Sequence, residues 1–372
     1  MLTGIESFFG QAVYAIPAFI FLITMVVFFH ELGHFSVARY FGVRIETFSI
    51  GFGPAIVSWR DRKNTLWKIS WFPLGGFVKF FGDADGASTP DRDAASKMTD
   101  TDRAVAFPFK PLYQRALIVV AGPVANFILA LVILTAFFMV NGKLVTPAVI
   151  SWVQPNSPAQ AAGIQVGDKF LEVDGEKIQS YEQVVQLISL SAGETLPIKL
   201  QRGGQVIDIS ATPRLVEVQG PFGNKQKVGQ IGIKDLAKSY RVPLGPFQAI
   251  GAAVDEIGEI VSSSFRAREQ LMRGNTSQLS GPVGIMKISG QVARVSFVAL
   301  IQLVALLSVS IGLVNLFPIP LLDGGHLLYY AFEGVLGRPL GERAQDVGFR
   351  LGLAVVAGIF LLVTWNDLLN LF

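Results

Sequence analysis

The chain has 372 residues, of which 51% are hydrophobic and only 16% charged, well under the roughly 25% charge of an ordinary soluble domain, so its composition points to several membrane spans. It has no cysteine, which excludes disulfides, iron–sulfur clusters and thiolate zinc sites and leaves strong metal ligation to carboxylates and three histidines, His30, His34 and His326. The net charge of +3 is small and the basic residues sit beside apolar runs, a pattern of topology signals rather than of nucleic-acid binding.

The pattern predicts a polytopic α-helical membrane protein with four transmembrane helices. Residues 1–40 form the first span. Val13–Phe29 is uncharged, and His30-Glu31-Leu32-Gly33-His34 occupies the last turns. No Lys or Arg precedes this run, so it lacks the basic start of a secretory signal peptide and reads as a retained span. Residues 41–113 follow as a β-hairpin region and a polar loop. Alternating residues at 43–50 and 65–80, punctuated by Gly51-Phe52-Gly53-Pro54 and Pro73-Leu74-Gly75-Gly76, predict hairpins apolar enough to lodge partly in the membrane. The stretch 82–104, rich in Asp, Ser and Thr, reads as mobile.

The second span, 114–142, is uncharged over Ala116–Gly142, between Arg115 and Lys143. Residues 144–233 predict a compact α/β module: a short helix at Pro158–Gly163, a Gly-Asp turn, a strand, an Asp174-Gly175 hairpin turn, a helix near 181–191 and strands near 195–211. Residues 234–294 predict an amphipathic helix and a linker. There Phe247, Ile250, Val254, Ile257, Val261 and Phe265 recur at helical spacing, as on a helix lying against a membrane face. The third span, 295–335, is uncharged over Val295–Leu322 and broken by Pro318 and Pro320 before Asp323. The fourth, 345–372, carries Arg350.

The region from Arg39 to Arg115 holds 12 basic residues, and the connection between spans three and four holds Arg338, Arg343 and Arg350. The positive-inside rule therefore puts those connections in the cytoplasm, with both termini and residues 143–294 outside.

Histidines at i and i+4 share one helix face and can hold one zinc, and Glu31 is placed as a general base beside them. On a solvated helix this pattern is often chance. Inside a span a charged residue costs about 3 kcal/mol, so its presence demands compensation. Catalytic zinc takes a third protein ligand. Asp323 is the candidate: it ends a span running in the same direction as the first and reaches the same depth, near the cytoplasmic face. Taken alone, it also reads as a solvated residue at a span end. His326, three residues after Asp323, reads as structural or as lying near the interface rather than as a ligand.

With these features assembled, the chain resembles the site-2 protease family of intramembrane zinc metalloproteases, closest to the bacterial regulator-of-sigma-E protease group. The resemblance rests on HELGH, on Asn315-x-x-Pro318-x-Pro320-x-x-Asp323-Gly324, on Gly122-Pro123-Val124-Ala125-Asn126, on the GFG and PLGG elements, and on a module resembling a permuted PDZ domain, here single where better-known members carry two. It implies His30, His34 and Asp323 as zinc ligands and Glu31 as base. It further implies cleavage of single-span membrane proteins within the bilayer of the bacterial inner membrane. The expected substrate is an anti-sigma factor already trimmed by another protease, or remnant signal peptides. Asn126 is a candidate oxyanion donor, and Asn315, with Pro318 and Pro320 beside it, a candidate substrate contact; helix–helix hydrogen bonding is the alternative for both asparagines. Membrane lipid is an expected partner and nucleic acid is not. A non-catalytic PDZ adaptor with a structural metal has no need of Glu31, and a metal transporter has no obvious use for the module.

Overall fold

The computed structural model describes residues 2–84, 96–219, 225–234, 239–272 and 281–369. They fall into two compact units. One takes in Met1–Leu134, Glu256–Val261 and Gly281–Trp365, the other Thr135–Asp255, Ser262–Ser280 and Asn366–Phe372.

The first unit is helical. Helix α1 is Leu2–Tyr40. After the hairpin strands β1 (Ile45–Arg60) and β2 (Leu66–Phe80) come a short helix α2 (Asp100–Val105) and α3 (Leu112–Asn141), whose last turns enter the second unit. Of the polar stretch 82–104, residues 85–95 lie outside the described residues. Within the rest α2 forms, because the Thr99 side chain accepts from the Asp102 backbone N–H while the Asp102 carboxylate accepts from that of Thr99. Among the described residues four helices are long and apolar enough to cross a membrane, over Val13–Tyr40, Leu112–Asn141, Phe297–Asn315 and Arg343–Asp367. The protein is thus an integral membrane protein with additional β-sheet regions.

The strands β1 and β2 are long because each doubles back. Residues 45–50 pair with 76–80, as in Phe48↔Val78. Residues 47–50 also lie against 66–69, as in Phe48↔Trp67, and 66–69 pair in turn with 57–60, as in Trp59↔Trp67. The bends fall at the two glycine motifs, where Gly51, Gly53 and Gly75 adopt φ of +83°, +88° and +122°. The result is a four-segment sheet in the order 76–80, 45–50, 66–70, 55–60. At its inner end Ile45, Phe48 and Phe80 are buried with Phe35 of α1 and Ile118 of α3. Complete burial of a phenylalanine such as Phe48 is worth about 2–3 kcal/mol. At its outer end Phe52, Ile56, Trp59, Trp71 and Phe72 are exposed. Asp61 secures the turn between the strands. Its carboxylate accepts from the Lys63 and Thr65 amides at 2.9 and 3.0 Å and from Arg39 of α1 at 2.7 Å.

Residues 282–295 are helical, not the expected linker. They form α7 (Pro282–Val295), which follows the predicted amphipathic helix α6 (Pro246–Met272) in the chain and packs along α1, with Ser289 and Gly290 buried there against Ala15. On α6 the predicted apolar positions Phe247, Ile250, Val254 and Phe265 are exposed. Helix α8 is Phe297–Asn315. It ends before Pro318 and Pro320, which cannot continue its hydrogen bonding, so the expected span 295–335 is broken there. Helix α9 (Asp323–Leu336) then begins on Asp323, and α10 (Glu342–Leu369) follows.

The second unit contains the α/β module, which includes strands β3 (Lys143–Val145) and β4 (Trp152–Val153) and helices α4 (Pro158–Ala161) and α5 (Tyr181–Leu190). A four-stranded antiparallel sheet runs β6-β5-β7-β8, made of Glu176–Lys177, Lys169–Val173, Leu196–Arg202 and Gln205–Ala211. The Asp174-Gly175 turn has φ of +51° and +79°, both positive as a two-residue hairpin turn requires. The helix Tyr181–Leu190 is capped by Ser180 and buries Val184 and Ile188 with Phe170, Ile198 and Leu200. Beneath them Asp168 is fully buried and paired with Arg202 through two contacts of 2.7 Å.

Candidate metal centre

The site is assembled where three helices meet. On α1, His30 and His34 stack one turn apart, their rings 4.8 Å between centroids and nearly perpendicular, with Nε2 atoms 3.2 Å apart. The chain break 316–322 brings Asp323 to them. Its Oδ2 lies 3.2 Å from His30 Nε2 and 3.5 Å from His34 Nε2. Leu321, just before it, holds φ of +100°, a conformation a leucine adopts only under constraint.

Helix α3 supplies the support. The His34 Nδ1–H donates to the Ile118 carbonyl at 2.9 Å, which leaves its Nε2 lone pair free. Two close approaches make this geometry possible. Gly33 lies against the Ala121 carbonyl. Gly122 lies under both imidazoles, where a Cβ would overlap His34 Nε2 and stand 2.9 Å from His30 Cε1. Neither glycine's packing was evident from the sequence. The small residue in Gly122-Pro123-Val124-Ala125-Asn126 was the only sign of it.

These residues fit zinc. Donors about 2.1 Å from a tetrahedral ion stand roughly 3.3–3.5 Å from one another. The triangle of Nε2, Nε2 and Oδ2 has sides of 3.2, 3.2 and 3.5 Å. Asp323 Oδ2 is buried and takes no hydrogen bond. Three lone-pair donors turned on one point away from water need a cation between them. Two imidazoles and one carboxylate make a donor set that zinc accepts, and three protein ligands leave one position open, the arrangement of a catalytic rather than a structural site.

The triangle faces a cavity of about 270 Å³. Glu31 lines it together with Gly76 and Val78 of the outer sheet segment. Asn315 lines the cavity, and so does His326, which sequence reasoning had set apart as structural. Pro318 and Pro320 form the break without lining it. Asn126 does not line it either: it is fully buried, with its amide Nδ2 3.3 Å from His30 Nδ1.

Comparison with known proteins agrees with this centre. The description "Peptidase family M50" matches residues 18–359. The chain belongs to that family, and the resemblance to site-2 proteases drawn from its motifs holds. A "putative zinc metalloprotease" of Agrobacterium fabrum is 41% identical over 363 residues, 96% of either chain. Metalloprotease MmpA of Caulobacter vibrioides is 38% identical, with 94% of each chain covered. Among solved structures, the PDZ domain of the SdrC-like protein from Listeria innocua aligns with 25% of this chain and 96% of its own, at 22% identity and a TM-score of 0.20. Membership in the family makes the protein a zinc metalloprotease.

Proposed function

We propose that the protein cleaves transmembrane segments of single-span membrane proteins within the bilayer. The observation that carries this reading is the His30–His34–Asp323 triangle, opening on a cavity enclosed by helices apolar enough to span a membrane. Bound zinc would be held by His30, His34 and Asp323 and would supply a Lewis acid and a water acidic enough to react at neutral pH. Glu31 takes the proton of the attacking water on its carboxylate and delivers it to the leaving nitrogen. Asn315, the asparagine on the cavity wall, donates from its amide to the substrate carbonyl oxygen as negative charge develops there.

A helical peptide bond is already hydrogen-bonded and shielded, so the substrate must unwind. The outer sheet segment 76–80 borders the cavity through Gly76, Val78 and Phe80 and offers an edge on which an extended segment adds as a strand. The exposed aromatic end of the sheet and the exposed stripe of α6 face membrane lipid. The family resemblance supports a bacterial inner membrane as the protein's location, and the distribution of basic residues supports a site turned toward the cytoplasm. The module at 144–233 is a PDZ domain outside, admitting substrates that another protease has trimmed, an anti-sigma factor or remnant signal peptides among them. Deleting it separates a size filter from a receptor: a filter predicts cleavage of untrimmed substrates, a receptor weaker cleavage of trimmed ones.

The test is Glu31→Gln in detergent with a transmembrane substrate. Cleavage is expected to fall about 10²–10⁴-fold while bound zinc, measured by elemental analysis, stays at the wild-type level. Equal cleavage by both proteins overturns the assignment.

A further inference from the structure

Asn126 lies near the metal centre, yet the cavity does not reach it. Its side chain is fully buried, its amide meets His30 Nδ1 at 3.3 Å, and its backbone carbonyl accepts from Ser308 Oγ of α8 at 2.9 Å. It is thus clamped between α1 and α8. To meet a substrate carbonyl in the cavity it would have to abandon His30.

Ile118, Gly122 and Asn126 recur every four residues and so share one face of α3. The first takes the Nδ1 proton of His34, the second makes room for both rings, and the third faces Nδ1 of His30. Which amide atom faces His30 follows from the tautomer. An amide N–H donating to Nδ1 would leave the ring proton on Nε2, aimed at Asp323 Oδ2 and at His34 Nε2, and would remove the lone pair a metal needs. The two amide orientations differ only by exchanging O and N, and the remaining amide atom has no hydrogen-bond partner that selects between them. The contact with His30 therefore decides.

We infer that Asn126 is a positioning residue: its side-chain oxygen accepts the Nδ1 proton of His30 and so holds that ring in its metal-ligating tautomer. This rests on the metal reading above. It separates the two asparagines, with Asn126 acting through a ligand and Asn315 facing the substrate.

The test measures zinc affinity of the full chain in detergent by competition with a chromogenic chelator, and the visible spectrum of the cobalt-loaded protein. Three variants are compared: Asn126→Leu, of similar volume without polar atoms, Asn126→Ala, and Asn126→Asp, which keeps the acceptor and loses the donor. Leu and Ala are expected to weaken zinc binding about 10–100-fold and to alter the cobalt spectrum. Asp is expected to stay within a few-fold of wild type and to restore the spectrum. Wild-type affinity in either apolar variant overturns the inference, and so does an equal loss in Asp and Leu, which would show that the donor matters. Alanine serves as the second apolar variant where leucine does not fold. A wild-type chain that binds no zinc would instead sink the metal site itself, a distinct failure.

Discussion

The two units solve the burial problem in opposite ways. In the module, Phe170, Val173, Ile198 and Leu200 go inside and alternate strand positions turn outward to water. In the helical unit Ile128, Val132, Leu361 and Trp365 are exposed, whereas His30, His34, Asn126 and Ser308 are buried. One unit is held by apolar packing. The other collects polar groups in its middle, where each must find a partner because lipid offers none. A buried polar residue in the module is structural by default, as Asp168 is with Arg202. A cluster of them among apolar spans implies a ligand.

That contrast can be broken at several points. Removal of a ligand should have the largest effect. Asp323→Ala should bring bound zinc and cleavage to background while leaving the module's hydrogen-exchange protection at the wild-type level. Loss of that protection would show that the units are not independent in stability. Gly122→Ala adds a methyl where His34 Nε2 sits, and a displacement of about 1 Å costs roughly 100-fold in cleavage at unchanged expression. Leu200→Ala works on the opposite side of the comparison. It should destabilise the module by about 3 kcal/mol, read by denaturant-dependent exchange of its strands, with zinc content unaltered.

The smallest effect is expected at Asp61. Burial opposes its ionisation, but hydrogen bonds from Arg39, the Thr65 amide, Trp67 and the Lys63 amide outweigh burial and hold its carboxyl at about 2, below the usual 3.8. The carboxylate therefore contributes stability that is fully present above about pH 4 and is lost as pH falls through about 2. With partial exposure discounted, Asp61→Asn should lower local stability by about 1 kcal/mol at neutral pH. The difference in Thr65 amide protection between variant and wild type should shrink through about pH 2 and vanish below it.

Much of this was legible in the sequence for stated reasons. Long uncharged runs mark spans because lipid tolerates little else, and HELGH stands out because its cost inside a span is high. Asp323 could be matched to it by depth. The doubled-back sheet was not legible, since its pairing of 47–50 with both 76–79 and 66–69 depends on bends whose direction a glycine permits without dictating. Helix α7 was not legible, because its packing on α1 at Ala15 joins residues far apart in the chain. The role of Asn126 was out of reach because its partner is 96 residues away. An asparagine in an apolar helix is equally suited to a neighbouring helix, a ligand or a substrate.

The doubled-back sheet carries a consequence for selectivity. Segment 76–80 is tied to 45–50 by the pairs Ile45↔Phe80, Phe48↔Val78 and Ile50↔Gly76, so it cannot slide without breaking that register. A chain docked on that outer segment would meet hydrogen-bonding groups at fixed intervals and would turn every second side chain toward the cavity. The enzyme would then read metre rather than spelling: bulk at alternating positions decides admission, and many unrelated sequences with the same beat are accepted.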